Sequence, residues 1–115
     1  MAAIIHPQVF NELQATLGAD FIGELIDTYC EETPELLEQL QQALSQNDAE
    51  AFRRAAHSIK SSSASLGALE FSAQAKDLEL LGKSGDISGA GEKVARLRVD
   101  YAQVEQALHV LVLHA

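Results

Sequence analysis

The chain has 115 residues, 47% of them hydrophobic, no tryptophan, a single cysteine and a formal net charge of −9. That length suits one domain (1–115) around a single core, and the acidity argues against nucleic acid as a partner, because binding a phosphate backbone needs a surplus of Lys and Arg. The lone Cys30 excludes an intrachain disulfide, and no run approaches the ~18 apolar residues that would span a bilayer.

Pro7 opens a short helix whose apolar side is Val9, Phe10, Leu13 and Leu17, and Gly18 ends it. Asp20 caps a second helix to about Glu32, with Phe21, Ile22, Leu25, Ile26, Tyr29 and Cys30 at a period near 3.6. Within that apolar stretch Cys30 reads as a buried, inert thiol. Thr33-Pro34 then punctuates the chain, Thr33 as N-cap and Pro34 as first helical residue, where a missing N–H does no harm. The helix it starts runs to about Gln46, with Leu36, Leu37, Leu40 and Leu44 inward.

Asn47-Asp48 is a short turn, Asp48 caps a helix over 49–66, and Gly67 follows as a left-handed C′ residue. The segment 69–82 buries Phe71, Ala75, Leu78 and Leu81, and Gly82-Lys83-Ser84-Gly85 is a loop. The last segment has the cleanest pattern: Ile87, Val94, Tyr101 and Leu108 form one seven-residue series, and Ala90, Leu97, Val104 and Leu111 another. Gly89 and Gly91 weaken its first turn, so its start falls between 87 and 92. No stretch alternates with period 2. The expected fold is all-α: an antiparallel four-helix up-and-down bundle (34–46, 49–66, 69–82, 87–113) with N-terminal capping helices in 1–33.

Residues 55–68 read AAHSIKSSSASLGA. On a helix, His57, Lys60, Ser61 and Ala64 share one face, while Phe52, Ala56, Ile59, Ser63 and Leu66 line the other. The small neighbours leave the imidazole open to another protein, and Lys60 can reach an anion attached to the ring. A Ser/His hydrolase fits weakly: Ser62 and Ser63 are expected to point toward the bundle, and no carboxylate is placed in sequence to orient the imidazole. A metal site is not expected, since no His pair falls at i, i+4 and the residues three before His57 and His109 are Arg54 and Gln106 rather than Glu. His6, His109 and His114 lie near the chain ends and read as exposed and inert. Gly82-Lys83-Ser84 lacks the upstream glycine of a nucleotide-binding loop. Phosphoryl transfer fits best: an open imidazole is a competent nucleophile, Lys60 can pair with the charge that arrives and the Ser61 hydroxyl can hydrogen-bond it. The phosphoryl group would come from a protein that supplies its own metal and catalytic acids.

The run His57-Ser58-Ile59-Lys60-Ser61-Ser62-Ser63-Ala64-Ser65-Leu66-Gly67-Ala68 closely resembles the signature of histidine-containing phosphotransfer (HPt) domains, roughly His-x-Leu-Lys-Gly-Ser-Ser-x-x-Leu-Gly-Ala. Phe21-Ile22-Gly23-Glu24-Leu25-Ile26 and Thr33-Pro34-Glu35-Leu36-Leu37 resemble the helices that precede it in that family. The resemblance implies a stoichiometric phosphorelay carrier rather than an enzyme. His57 is the residue phosphorylated, at Nε2, and Lys60 stabilises the phosphoryl group. It departs at Ser61, where the family usually has glycine. The implied partners are receiver domains of response regulators or hybrid histidine kinases, which bring Mg²⁺, so the chain needs no cofactor of its own. They would dock on Arg53, Arg54, Lys60, Ser61 and Ala64, joined by apolar cap residues such as Phe10 or Ile22. A helical adaptor that binds a receiver or kinase without phosphorylation is the main alternative. The N-terminus has no basic segment before a long apolar run, so a soluble cytoplasmic protein is expected, and a monomer is the simplest form for a carrier that docks in turn with two partners. The start at Met1 favours a free-standing protein over an excised domain of a hybrid kinase.

Overall fold

In a computed structural model, which describes residues 4–113, the chain forms helices α1 (Pro7–Leu17), α2 (Ala19–Ser45), α3 (Ala49–Ser65), α4 (Leu69–Ser84) and α5 (Gly91–Leu113). Helices α2 to α5 make the expected antiparallel bundle, and α1 packs on α2 as a cap. Among the described residues no helix is long and apolar enough to cross a membrane.

The main difference from expectation lies at Thr33-Pro34. There is no break: α2 runs through Pro34 as one helix, and Thr33 is a buried interior residue rather than an N-cap. A proline inside a helix removes one backbone hydrogen bond and destabilises by about 3 kcal/mol. Against that stands an unbroken buried stripe of Ile22, Ile26, Tyr29, Thr33, Leu37, Leu40 and Ala43. Burying a large aliphatic or aromatic side chain is worth about 1.5–3 kcal/mol, so packing on both sides of Pro34 outweighs the lost bond. The proline ring itself faces solvent. No backbone feature therefore separates cap from bundle at residues 33 and 34.

Asp20 does not cap α2, which begins at Ala19 with Gly18 at the N-cap position and no side-chain cap bond; Asp48 and Gly67 act as read. Asp48 Oδ1 accepts a hydrogen bond from Ala51 N–H at 3.0 Å and starts α3. Gly67, at φ +91°, ends it in the left-handed region, and its carbonyl accepts from His6 N–H at 2.7 Å. A Cβ on Gly67 would lie 3.2 Å from the His6 carbonyl oxygen, so this glycine also lets the segment before α1 lie against the end of α3. In α5 and the turn before it, Ile87, Ala90, Val94, Leu97, Tyr101, Val104 and Leu108 are buried, and Leu111 is half-buried.

The second difference is at the end of α4. Gly82 is a buried helical residue, not part of a loop, and α4 ends only at Ser84, before the left-handed Gly85. A Cβ on Gly82 would lie 2.7 Å from Arg53 Cβ and 2.8 Å from Arg53 Cα. Here α4 lies directly on the backbone of α3.

Candidate functional site

The face of α4 turned toward α3, with the N-cap residue Ala68 before it, carries Ser72, Ala75, Glu79 and Gly82, and all five residues are buried. Four are small, and they let two helices pack closely along their length. The Ser72 hydroxyl donates to the Lys60 carbonyl at 2.8 Å and ties the two helices at one end, while Gly82 against Arg53 closes the other. Between these anchors stands Glu79, a carboxylate in a stripe of small residues.

Helix α3 meets it with an inner face of Phe52, Ala56, Ile59, Ser63 and Leu66, all buried as the periodicity requires. The Ser63 hydroxyl is hydrogen-bonded to the Tyr29 hydroxyl at 2.7 Å. The His57 ring lies on the rim, its side chain 53% exposed, against 5% for Glu79. Glu79 Oε2 is 2.6 Å from His57 Nδ1, and Glu79 Oε1 accepts from Lys60 Nζ at 2.8 Å. One carboxylate thus bridges the imidazole and the ammonium of α3.

The hydrogen bond from Lys60 holds the Glu79 carboxyl below the usual carboxylate range, against the opposing effect of its burial, and the bond from His57 adds to the lowering. An ionised carboxylate can only accept hydrogen bonds. Nδ1 must therefore carry a proton, and in the neutral ring the lone pair is on Nε2, the nitrogen not engaged by Glu79.

Sequence reasoning missed Glu79. The expectation that no carboxylate orients the imidazole is corrected: the carboxylate arrives from the neighbouring helix, 22 residues further on. A signal was present. Glu79 falls on the inward side of its helix between Ala75 and Gly82, where a carboxylate is rarely left without a partner. Reading Gly82 as loop hid that register.

The remaining site residues are distributed as follows. Ser61 is exposed beside the ring, and its hydroxyl has no hydrogen-bond partner among the described residues. Arg53 is drawn into a two-bond ion pair with Glu50, at 3.0 and 2.6 Å. Arg54 is exposed and 4.0 Å from the same carboxylate, so Glu50 offsets part of the basic cluster. Ala64 is half-buried. Phe10 and Ile22 are core residues, unavailable to a docking partner, whereas the adjacent Phe21 is 52% exposed. Cys30 is half-buried rather than buried, with its thiol pKa pushed up by desolvation. His6 and His109 are exposed, and His114 lies outside the described residues. Two serines of the run are engaged elsewhere: the Ser62 hydroxyl donates to the Ser58 carbonyl at 2.9 Å, and Ser63 is buried on Tyr29.

A helical bundle that offers one imidazole with its tautomer set from behind, and a lysine beside it, has the makings of a histidine phosphocarrier. The comparisons with known proteins agree: the family model described as "Hpt domain" matches residues 24–107, and the chain belongs to that family. Its structure is similar to the crystal structure of histidine-containing phosphotransfer protein B (HptB) from Pseudomonas aeruginosa PAO1. The TM-score is 0.91 at 26% sequence identity, covering 100% of this chain and 99% of that one. No match was found among curated proteins. The role of the chain is histidine phosphotransfer in a phosphorelay.

Proposed function

We propose that His57 accepts a phosphoryl group from the phospho-aspartate of one receiver domain and passes it to the aspartate of another. The observation that supports this most directly is the bond from Nδ1 to Glu79, which leaves Nε2 as the nucleophile on the exposed side of the ring. The Nε2 lone pair attacks phosphorus, the bond from phosphorus to the aspartyl oxygen breaks, and the carboxylate leaves with the electron pair. Nδ1 keeps its proton. The ring becomes cationic as Nε2 binds phosphorus, and the Glu79 carboxylate beside Nδ1 stabilises that charge. In the reverse step the same proton stays in place, so one geometry serves both receivers.

Lys60 supplies positive charge for the incoming phosphoryl oxygens, and Ser61 a hydroxyl with no competing protein partner. Arg54, Ser61 and Ala64 form the docking face with Lys60, and Arg53 joins it through its ion pair with Glu50. The receiver provides Mg²⁺ and the catalytic acids, and this chain acts as a monomeric cytoplasmic carrier that brings no nucleotide or cofactor to the transfer step. Incubation with a phosphorylated receiver tests the reading. Acid-labile, base-stable label on the wild type and none on His57→Gln supports it; label that survives the substitution, or binding with no label at all, overturns it in favour of another acceptor or an adaptor.

A further inference from the structure

On the seam between α2 and α5, away from the α3–α4 face that carries His57, three side chains of different chemistry converge. Cys30, Glu105 and His109 each offer one ligand atom, and these atoms all lie within 4.8 Å of one another. Cys30 comes from α2. Glu105 and His109 are one turn apart on α5 and so share a face. Glu105 and His109 form no ion pair with each other among the described residues.

A second observation points to the same place. Tyr101, one turn before Glu105, is only 6% exposed, and its hydroxyl is buried without a hydrogen-bond partner. Burial above all pushes the pKa of that hydroxyl up, and the neighbouring Cys30 and then Glu105 add to it. A buried unpaired hydroxyl is unfavourable. It would gain a strong acceptor if the neighbouring thiol became a thiolate.

We propose that Cys30, Glu105 and His109 bind a divalent transition-metal ion, with Zn²⁺ the best fit to a mixed sulfur, oxygen and nitrogen set. Tetrahedral zinc with bonds of about 2.0–2.3 Å holds its ligand atoms roughly 3.5 Å apart. Side-chain rotation closes the cluster to that spacing, and water takes the fourth position on the exposed His109 side. Binding converts the Cys30 thiol to a zinc-bound thiolate and releases its proton to solvent. Glu105 binds as a carboxylate and His109 as a neutral imidazole, so the two ligand charges neutralise the ion. The Tyr101 hydroxyl then donates to the thiolate as a supporting hydrogen bond. The ion links α2 to the C-terminal half of α5 and acts as a clamp on the bundle, separate from phosphotransfer.

Titration of the full chain with Co²⁺ as a spectroscopic stand-in, and with Zn²⁺ by calorimetry, tests the site. The expected result is one ion per chain, a near-ultraviolet thiolate-to-cobalt band, and a rise in melting temperature with Zn²⁺. Cys30→Ser abolishes the band, Glu105→Gln and His109→Ala each weaken binding by about tenfold or more, and His109→Ala also loses the thermal shift. Absence of the thiolate band in the wild type overturns the proposal, as does binding that Glu105→Gln and His109→Ala leave unchanged or that depends on His57 instead.

Discussion

Glu79 Oε2 lies 2.6 Å from His57 Nδ1, and its other oxygen lies 2.8 Å from Lys60 Nζ. The carboxylate is nearly buried on α4, while the ring it holds stands half in solvent on α3. Glu79 thus engages Nδ1 from the buried side of the ring and leaves Nε2 without a bond to it.

Replacing Glu79 separates orientation from charge. Glu79→Gln keeps an oxygen that can accept from Nδ1 but loses the negative charge, and Glu79→Ala loses both. Transfer from a phosphorylated receiver is expected to fall in both, by about 10–100-fold for Glu79→Ala, by analogy with the loss when the partner that orients a metal-bound histidine is removed. The glutamine variant should fall less. Stopped transfer assays on both variants, with circular dichroism to check the fold, measure the ordering; equal and unimpaired rates would remove Glu79 from the mechanism.

Acid stability carries the same carboxylate. Its pKa lies below the ordinary range because of its bonds to Lys60 and His57. The resulting stabilisation is present in full above the ordinary carboxylate range. It is lost as pH falls from there through the lowered value, where the unfolded chain takes up a proton that the folded chain refuses. Urea unfolding followed from neutral to acid pH should show this loss in the wild type and a flatter acid limb in Glu79→Gln.

Lys60→Ala removes the cation proposed to pair with the phosphoryl group and leaves Glu79 with one partner fewer. Transfer is expected to drop about 10–100-fold, at or below the loss from removing a single charge-stabilising donor. Stability should fall by about 1–3 kcal/mol, since a buried acceptor loses a charged hydrogen bond. Lys60→Arg retains the charge and should recover part of the rate but not all of it, because a guanidinium fork does not fit the space of an ammonium.

Gly82→Ala runs against the usual sign. In an exposed helix that change stabilises by about 1 kcal/mol. Here the added methyl would lie 2.7 Å from Arg53 Cβ and press on the α3 backbone. Overpacking of this kind costs about 1–3 kcal/mol, so net destabilisation is expected by denaturant unfolding. Because Glu79 is one turn away, slower transfer should accompany it.

The sequence shows the bundle well because its helices are amphipathic and its turns carry strong chemistry. Asp48, Gly67 and the two heptad series of α5 each act locally, and each lies where its pattern requires. Pro34 misleads for a tertiary reason. Tyr29, Thr33 and Leu37 keep their four-residue spacing across it, and that stripe, not the proline, decides the helix. The ring of His57, with Lys60 and Ser61 beside it, is legible because all three lie on one helix. Glu79 is not, because its partnership with them depends on how closely α4 approaches α3, and that approach is set by the absence of a side chain at Gly82. Phe10 and Ile22 fail as docking residues for a related reason: the apolar pattern shows that a face is buried somewhere, and only the packing shows that Leu17 and Phe21 are left outside.

The position of the phosphoryl group on the ring is the most direct test of this account. The wild-type chain, phosphorylated by a labelled receiver, can be examined by ³¹P and ¹⁵N nuclear magnetic resonance with ¹⁵N in the His57 ring. The predicted spectrum has phosphorus coupled to Nε2 and a proton retained on Nδ1, with the Nδ1 signal moved in Glu79→Ala. Phosphorus on Nδ1, or a ring whose Nδ1 is indifferent to the loss of Glu79, would contradict it.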